Sequence, residues 1–129
     1  MNKELKRIIN NNLEFIETND VSTLTEKEII EYNVNSVFKT SRLLDEIGVK
    51  HNIKTGWIIV GSKDIREFGY LYIVANIGKD EYYIDTMANI ASNCKSCNGL
   101  SVSKKRQPWI YKKRHSSKTL TRFNNKQSK

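Results

Sequence analysis

Cysteine and long apolar runs are both scarce in this chain, and each scarcity excludes a class of protein. Its 129 residues include two cysteines, so a secreted domain stapled by several disulfides is excluded. No apolar stretch is long enough to cross a bilayer, and residues 1–20 lack the apolar run of a signal peptide. The length suits one domain. We therefore expect a single cytoplasmic domain in a reducing compartment, without a membrane span.

Acidic residues are missing from one end of the chain. Residues 104–129 contain ten Lys or Arg and no Asp or Glu, whereas residues 1–103 contain 12 basic and 14 acidic residues. The C-terminal segment therefore carries the whole excess behind the formal net charge of +8. Apolar residues are sparse from Lys112 onward, which is typical of a segment that is flexible or folds on a partner. We expect a folded domain over residues 1–103 and a basic, flexible tail over residues 104–129.

Two helices are predicted in the first part of the chain. Residues 2–16 repeat apolar side chains at spacings of three and four, which indicates an amphipathic helix. Thr25 and Glu28 form a capping-box pattern, and the apolar stripe that follows extends to Ile47, just before Gly48. The second helix is therefore predicted over residues 26–47.

The middle of the chain has the composition of strands, with β-branched and aromatic residues in short runs. A turn at Gly78 joins two of these runs as a hairpin, and Pro108 argues against a central strand near it. Helices followed by strands predict an α+β fold, with two N-terminal helices packed on a small, mainly antiparallel sheet. The predicted strands are Trp57–Val60, Gly69–Ile77 and Glu81–Thr86, with two short candidates at Leu100–Ser103 and Trp109–Tyr111.

The basic tail is the strongest functional signal in the sequence. Dense Lys and Arg gain affinity for phosphate backbones through counterion release, and aromatic residues between them stack on unpaired bases. RNA or another single strand is therefore favoured over a duplex as the ligand. Two other interpretations stay open: the tail binds an acidic protein or membrane surface, or it serves solubility while its aromatics pack back on the domain. The predicted nucleic-acid-binding residues are Lys104, Lys105, Arg106, Trp109, Tyr111, Lys112, Lys113, Arg114, Lys118 and Arg122.

Cys94 and Cys97 have the spacing of a zinc knuckle. Structural zinc sites use four ligands, and no second ligand pair lies nearby in the sequence. His115 follows at a distance, so a complete site would also need His51, a carboxylate or a partner chain. We therefore expect no cofactor and interpret the two cysteines as loop thiols, with Cys94, Cys97 and His115 as the zinc candidates.

Residues 30–86 have an order of elements that is known from a superfamily of enzymes. A long helix ends in Leu43–Val49, and strands follow at Gly56–Val60, Gly69–Val74 and Tyr82–Thr86. This order resembles the core of the transglutaminase-like group of papain-like proteins. In that group a nucleophilic Cys begins the helix, a His begins the next strand, and an Asp on the strand after it completes the triad.

Only one of those three catalytic residues is present here. Asp85 stands at the Asp position, whereas Tyr70 stands at the His position and residues 33–36 contain no Cys. Without a thiolate and a base to activate it, acyl transfer has no first step. Ser36 would also lack a base unless His51 came within reach. The resemblance therefore implies a non-catalytic relative of these enzymes.

Three hypotheses follow for the function. The first is a non-catalytic protein that binds nucleic acid through its basic tail. The second is a small accessory or inhibitor module, or a pseudoenzyme, that binds another protein while its tail grips an acidic partner. The third is an enzyme, either a basic nuclease that uses His51 or His115 or a papain-like remnant, although the chain supplies few candidate acids and bases.

Overall fold

The structure, a computed structural model, describes residues 2–13, 23–61, 65–92 and 99–114. Its elements in chain order are α1 (Asn2–Asn12), α2 (Glu26–Glu46), β1 (Lys50–Val60), β2 (Arg66–Ile77), β3 (Asp80–Asp85), α3 (Ala88–Ala91) and β4 (Ser101–Ser103). The strands form one sheet in the order β1-β2-β3-β4, and each neighbouring pair is antiparallel. Helices α1 and α2 pack against this sheet, which confirms the predicted α+β fold.

Local signals set both ends of α2, the longest helix. At its start Thr25 Oγ1 accepts from the Glu28 N–H (3.1 Å), and Glu28 Oε1 accepts from the Thr25 N–H (3.0 Å). At its end Gly48 has a φ of 75°, a conformation that favours glycine. The side chains that α2 buries are Ile29, Asn33, Ser36, Val37, Thr40 and Leu44. Half of this stripe is polar, which is unusual for a helix that faces a core.

Both faces of the sheet are covered. Alternate residues of a strand point to opposite faces, so each strand contributes to two apolar clusters. On the face that we call the helix face, Ile73 and Ala75 of β2 pack with α1 and α2. On the opposite face, Phe68, Tyr70 and Tyr72 of β2 pack with α3 and with residues that follow β4.

Strand β1 begins earlier than the sequence indicates. The prediction started it at Trp57, whereas every residue from Lys50 to Val60 pairs with a residue of β2. The first half of β1 is polar and largely exposed because the strand lies at an edge of the sheet. An apolar pattern is therefore absent from Lys50–Gly56, although the backbone there is fully extended.

The chain stays on the domain after β4. Residues 104–114, here called the strap, cross the sheet to the opposite edge, where Tyr111 pairs with Trp57 of β1. Two backbone hydrogen bonds of 2.8 Å join these two residues. On the way the strap buries Gln107 and Ile110, which are 2% and 1% exposed.

The strap therefore packs on the domain beyond the predicted boundary at Ser103, up to Arg114. The physical reason is that the strap supplies apolar cover to one face of the sheet, so the basic segment is interrupted by core residues. The rest of the predicted tail, residues 115–129, lies outside the described residues. No helix in the described part of the chain is both long and apolar enough to cross a membrane.

Candidate functional site

A band of polar side chains lies buried between α2 and the sheet, where β3 separates from β2. Pairing between these strands ends at Ile73, so no strand lies beside the backbone of Leu71 on that side. The Asn33 side chain occupies the position where a neighbouring strand would pair with Leu71. Its Nδ2 donates to Leu71 O (3.0 Å), and its Oδ1 accepts from the Leu71 N–H (2.9 Å). Because a side-chain amide carries the donor and the acceptor of a peptide group, Asn33 extends the ladder by one position.

Hydroxyl groups continue this buried band. Ser36 Oγ donates to Asn33 O (3.0 Å) and lies 2.6 Å from Thr86 Oγ1, so the Thr86 hydroxyl donates in that pair. Thr40 Oγ1 donates to Ser36 O (2.8 Å). All three hydroxyl side chains are buried, and their hydrogen bonds are made inside the fold. They tie α2 to the end of β3 and do not face a substrate.

Asp85, the last residue of β3, accepts hydrogen bonds on both carboxylate oxygens. Tyr70 OH and the Met87 N–H donate to Oδ1, and the Trp109 indole N–H donates to Oδ2 (2.6 Å). Burial raises the pKa of Asp85, while these hydrogen bonds act in the opposite direction. Burial, together with the charge on Asp85, also raises the pKa of Tyr70 well above its usual value. Tyr70 therefore keeps its proton at neutral pH and serves as a donor.

These residues are the ones that the papain-like resemblance assigns to a catalytic centre. The described chain brings α2, Tyr70 and Asp85 together, but Tyr70 is 2% exposed and Asp85 is 0% exposed. Residues 33–36 lie inside α2 and not in its first turn, where the helix dipole would favour a thiolate. The described part of this junction therefore presents no accessible nucleophile or base, and the resemblance stays a prediction.

A second polar pair, which the sequence did not indicate, joins α2 to the start of β1. His51 Nδ1 lies 2.9 Å from Val49 O, and His51 Nε2 lies 2.6 Å from Ser41 Oγ. Because a carbonyl only accepts, Nδ1 carries the proton of the neutral ring, and Nε2 accepts from Ser41. A serine bonded to a histidine is the beginning of a nucleophilic site, but the N–H groups beside Ser41 are bonded within α2. They are not free to stabilise an oxyanion, so the pair joins the helix to the strand.

The strap presents its basic residues at both edges of the sheet. Lys104 and Lys105 follow β4, and Lys112, Lys113 and Arg114 follow the bridge to β1. All five side chains are exposed, and Arg106 between them is partly buried.

Two of these cations have an acidic neighbour. Lys104 Nζ lies 3.8 Å from Asp80 Oδ2. Arg114 Nε lies 3.3 Å from Glu67 Oε1, and its guanidinium is 5.3 Å from the centre of the Trp57 ring. Among the described residues, Lys105, Lys112 and Lys113 form no ion pair. Their charge is therefore available to an external anion.

The two aromatic residues of the strap pack on the domain. Trp109 contacts the apolar cluster beneath the strap and donates its indole N–H to Asp85, and Tyr111 forms the backbone bridge to β1. Both side chains remain partly exposed. Of the interpretations that the sequence left open, the packing of aromatics back on the domain describes this segment, and the partly exposed rings remain candidates for stacking.

The remaining predicted site residues lie outside the described residues: Lys118, Arg122, Cys94, Cys97 and His115. In the described part of the chain no three His, Cys, Asp or Glu side chains come together as a metal site would require. The described residues therefore do not test whether Cys94, Cys97 and His115 come together around zinc.

Polar residues within the apolar stripe of α2 were the signal that sequence reasoning missed. Asn33, Ser36 and Thr40 recur at spacings of three and four among residues that face the core. Their partners lie far along the chain, so the spacing indicates a buried polar band without identifying what completes it. Comparisons of this chain with protein-family models, with curated proteins and with solved structures find no match.

Proposed function

We propose that this protein binds nucleic acid, with single-stranded RNA or DNA preferred over duplex, through the basic residues of the strap and the basic chain that follows it. The observation that carries the proposal is the exposure of Lys105, Lys112 and Lys113 without an acidic partner in the described chain. Phosphates bound to such cations release counterions, which drives association.

The anchoring of the strap supports this function. Burial of Gln107 and Ile110 and the bridge from Tyr111 to β1 fix the backbone between the two basic groups, Lys104–Arg106 and Lys112–Arg114. A backbone that is already ordered loses less conformational entropy on binding than a free tail does. The basic groups at the two edges of a four-stranded sheet are separated by about 14 Å, so they suit an extended strand of phosphates.

Aromatic contacts favour single strands in this proposal. Trp109 and Tyr111 are partly exposed beside Arg106, and unpaired bases stack on such rings whatever their sequence. Tyr83, which is partly exposed on the same face of the sheet as the strap, stacks on the buried Tyr72 with 6.3 Å between the ring centres. A reducing, cytoplasmic location, in which Cys94 and Cys97 stay as thiols, fits a protein of this kind.

The test is a titration with a single-stranded oligouridylate and with a DNA duplex at several salt concentrations. A double variant, Lys112→Gln with Lys113→Gln, removes two exposed cations without touching the buried part of the strap. We expect the slope of log affinity against log salt to fall by about 1.4 for the single strand, because each phosphate contact contributes about 0.7.

The matched control removes two positive charges from the helix face of the sheet, away from the strap. Lys39 and Arg42 are exposed on α2, on the helix face of the sheet. Lys39→Gln with Arg42→Gln should leave the slope unchanged. Equal effects of the two double variants would mean that net charge alone drives binding, and absence of binding by the wild-type chain at low salt would reject the proposal.

A further inference from the structure

The outer edge of β1 is open along most of its length. Trp57 uses its outward N–H and C=O to bond Tyr111. Because alternate residues of an edge strand point their peptide groups outward, His51, Ile53 and Thr55 also present theirs. Within the described residues no strand or loop pairs with these three positions. They form a row of unused donors and acceptors of the kind that accepts an added strand.

An apolar stripe of α2 runs beside this edge. Ser41 contacts His51, and Val34 and Phe38 lie on the same side of the helix at spacings of three and four. Phe38 is 50% exposed and Ile30, one turn before Val34, is 41% exposed.

The helix and the strand are aligned. Asn33 contacts Leu71, which pairs with Thr55, while Ser41 contacts His51. From Asn33 to Ser41 the helix rises about 12 Å, and from Thr55 back to His51 the strand covers about 13 Å. The exposed stripe of α2 therefore follows β1 along its open edge. We call the surface between this stripe and the open edge the groove. Ile30, Val34 and Phe38 of α2 lie along one side of it and Ile53 and Trp57 of β1 along the other, where the Arg114 guanidinium lies 5.3 Å from the centre of the Trp57 ring.

The charge around this groove is mainly positive. Lys50 and Lys54 are exposed on β1 and point to the face opposite the helix, and Lys112 and Lys113 follow the Tyr111 bridge at the same edge. Glu31 lies 3.9 Å from Lys27 and Glu67 lies 3.3 Å from Arg114, while the exposed Asp45 lies 3.9 Å from His51 Nδ1 at one end of the edge. The four lysines outnumber this one carboxylate, so the balance of charge at the edge is positive.

We propose that this groove binds an extended segment of a partner protein in which acidic and apolar residues alternate. The segment adds to the sheet beside β1, with its backbone paired to His51, Ile53 and Thr55. Its apolar side chains then lie on the helix face between Phe38 and Trp57. Its acidic side chains lie opposite Lys50 and Lys54, because residues of a strand alternate between the two faces.

A second copy of this chain is a poor occupant of the groove. An antiparallel pair of β1 strands centred on Asn52 places Lys50 of one copy opposite Lys54 of the other, and a pair centred on Ile53 makes the two Lys54 side chains diagonal neighbours. Like charges directly opposite each other are unfavourable, and Lys112 and Lys113 add to the repulsion. The charge of the edge thus selects an acidic partner strand over self-association.

The experiment uses the full chain and two nine-residue peptides, one alternating Glu with Val and the other alternating Lys with Val. Amide exchange measured by NMR reports on each residue of β1. We expect the Glu–Val peptide to slow exchange at His51, Ile53 and Thr55. The amides of Asn52 and Lys54 already bond to β2 and should not change, so they serve as internal references.

Variants locate the interaction. Lys54→Glu should weaken the Glu–Val peptide about fivefold and favour the Lys–Val peptide, since it reverses a cross-strand charge pair. Lys79→Glu makes the same charge change in the turn after β2 and should have no effect. Thr55→Pro removes one outward N–H and should reduce the affinity for the Glu–Val peptide more than tenfold. If the proline variant does not fold, Lys54→Glu still tests the proposal.

Several outcomes would overturn the proposal. If the three outward amides exchange slowly before peptide is added, the edge is already covered by this chain. If that slow exchange depends on protein concentration, a second copy covers the edge. Equal binding of the two peptides would remove the charge argument. Protection of the same amides by oligouridylate but not by the Glu–Val peptide would assign the edge to nucleic acid.

Discussion

At the scale of single residues, polar side chains of α2 complete the sheet where its strands diverge. Asn33 is the clearest case, because its amide satisfies both the N–H and the C=O of Leu71. Asn33→Ala leaves these two groups without their partner, and each such loss costs about 1–3 kcal/mol. We therefore expect the free energy of unfolding in urea to fall by about 2–6 kcal/mol. Asn35→Ala, at an exposed position of the same helix, should change it by less than about 0.5 kcal/mol. Equal losses in the two variants would show that Asn33 acts only through helix propensity.

Asp85 makes stability depend on pH. Burial raises its pKa in the folded protein above the value in the unfolded chain, so the folded state binds the proton more tightly. The tighter proton binding stabilises the folded state fully when the pH is below the pKa of Asp in the unfolded chain, about 3.9. This stabilisation is lost as the pH rises through the raised pKa of the folded protein. Relative to Asp85→Asn, the wild type should therefore lose stability over that window, by at most about 1.4 kcal/mol per pH unit. Urea unfolding of both proteins between pH 3.5 and 8 measures the difference. A difference that grew in favour of the wild type with rising pH would mean that the bonds from Tyr70 and Trp109 outweigh burial.

At the scale of elements, the strap depends on the absence of a side chain beneath it. A Cβ on Gly56 would lie 2.9 Å from Ile110 Cγ2 and 3.0 Å from Tyr111 O. The Tyr111 oxygen is held by its bond from Trp57, so it does not move without breaking the bridge. Gly56→Ala should therefore lower the free energy of unfolding by about 1–3 kcal/mol and speed amide exchange at Tyr111.

A neighbouring glycine supplies the control for this prediction. Gly69 pairs with Trp57 across β1 and β2, and a Cβ there meets its first atom, Trp57 Cζ3, at 3.9 Å. Gly69→Ala should be neutral or stabilising, because alanine restricts the unfolded chain and has space in the fold. If the two alanine variants behaved alike, the strap would not be held against Gly56 as the structure has it.

The elements also show which features the sequence could predict. α2 was predictable because its capping box and its apolar stripe are local patterns, and its limits agree to one residue. The first half of β1 was not, because Lys50–Gly56 is a polar edge whose strand conformation depends on pairing with β2. The charge of residues 104–114 predicts a tail, whereas the structure packs Gln107, Trp109 and Ile110 of this segment on the sheet. The residues that these side chains contact are distant in the chain, so no local sequence pattern predicts that they are buried or bonded.

At the scale of the whole molecule, the folding unit is expected to include the strap. Truncation after Ser103 removes the cover over Gly56, the buried Ile110 and the indole donor to Asp85. Burial of one such aliphatic side chain contributes about 1.5–3 kcal/mol, and a lost buried hydrogen bond costs about 1–3 kcal/mol. Together these losses approach the lower end of the total stability of a small domain, about 5 kcal/mol. A chain of residues 1–103 should be largely unfolded, whereas a chain of residues 1–114 should melt like the full protein. Circular dichroism melts test this, and a cooperative melt of the shorter chain within about 5 °C of the full protein would contradict it.

The same pair of lengths divides the proposed nucleic-acid affinity between the strap and the chain beyond it. Residues 1–114 keep Lys104, Lys105, Arg106, Lys112, Lys113 and Arg114, and lose the four basic residues Lys118, Arg122, Lys126 and Lys129. If all four contact phosphates of a single strand, the salt slope of the full chain exceeds that of the 1–114 chain by about 2.8. We expect a smaller difference and most of the affinity in the 1–114 chain, since the strap holds its cations on an ordered backbone while the later residues have few apolar anchors. Titration of both chains with oligouridylate across a range of salt concentrations measures the division. Loss of nearly all binding in the 1–114 chain would move the contact beyond Arg114 and leave the strap as a structural cover for the sheet.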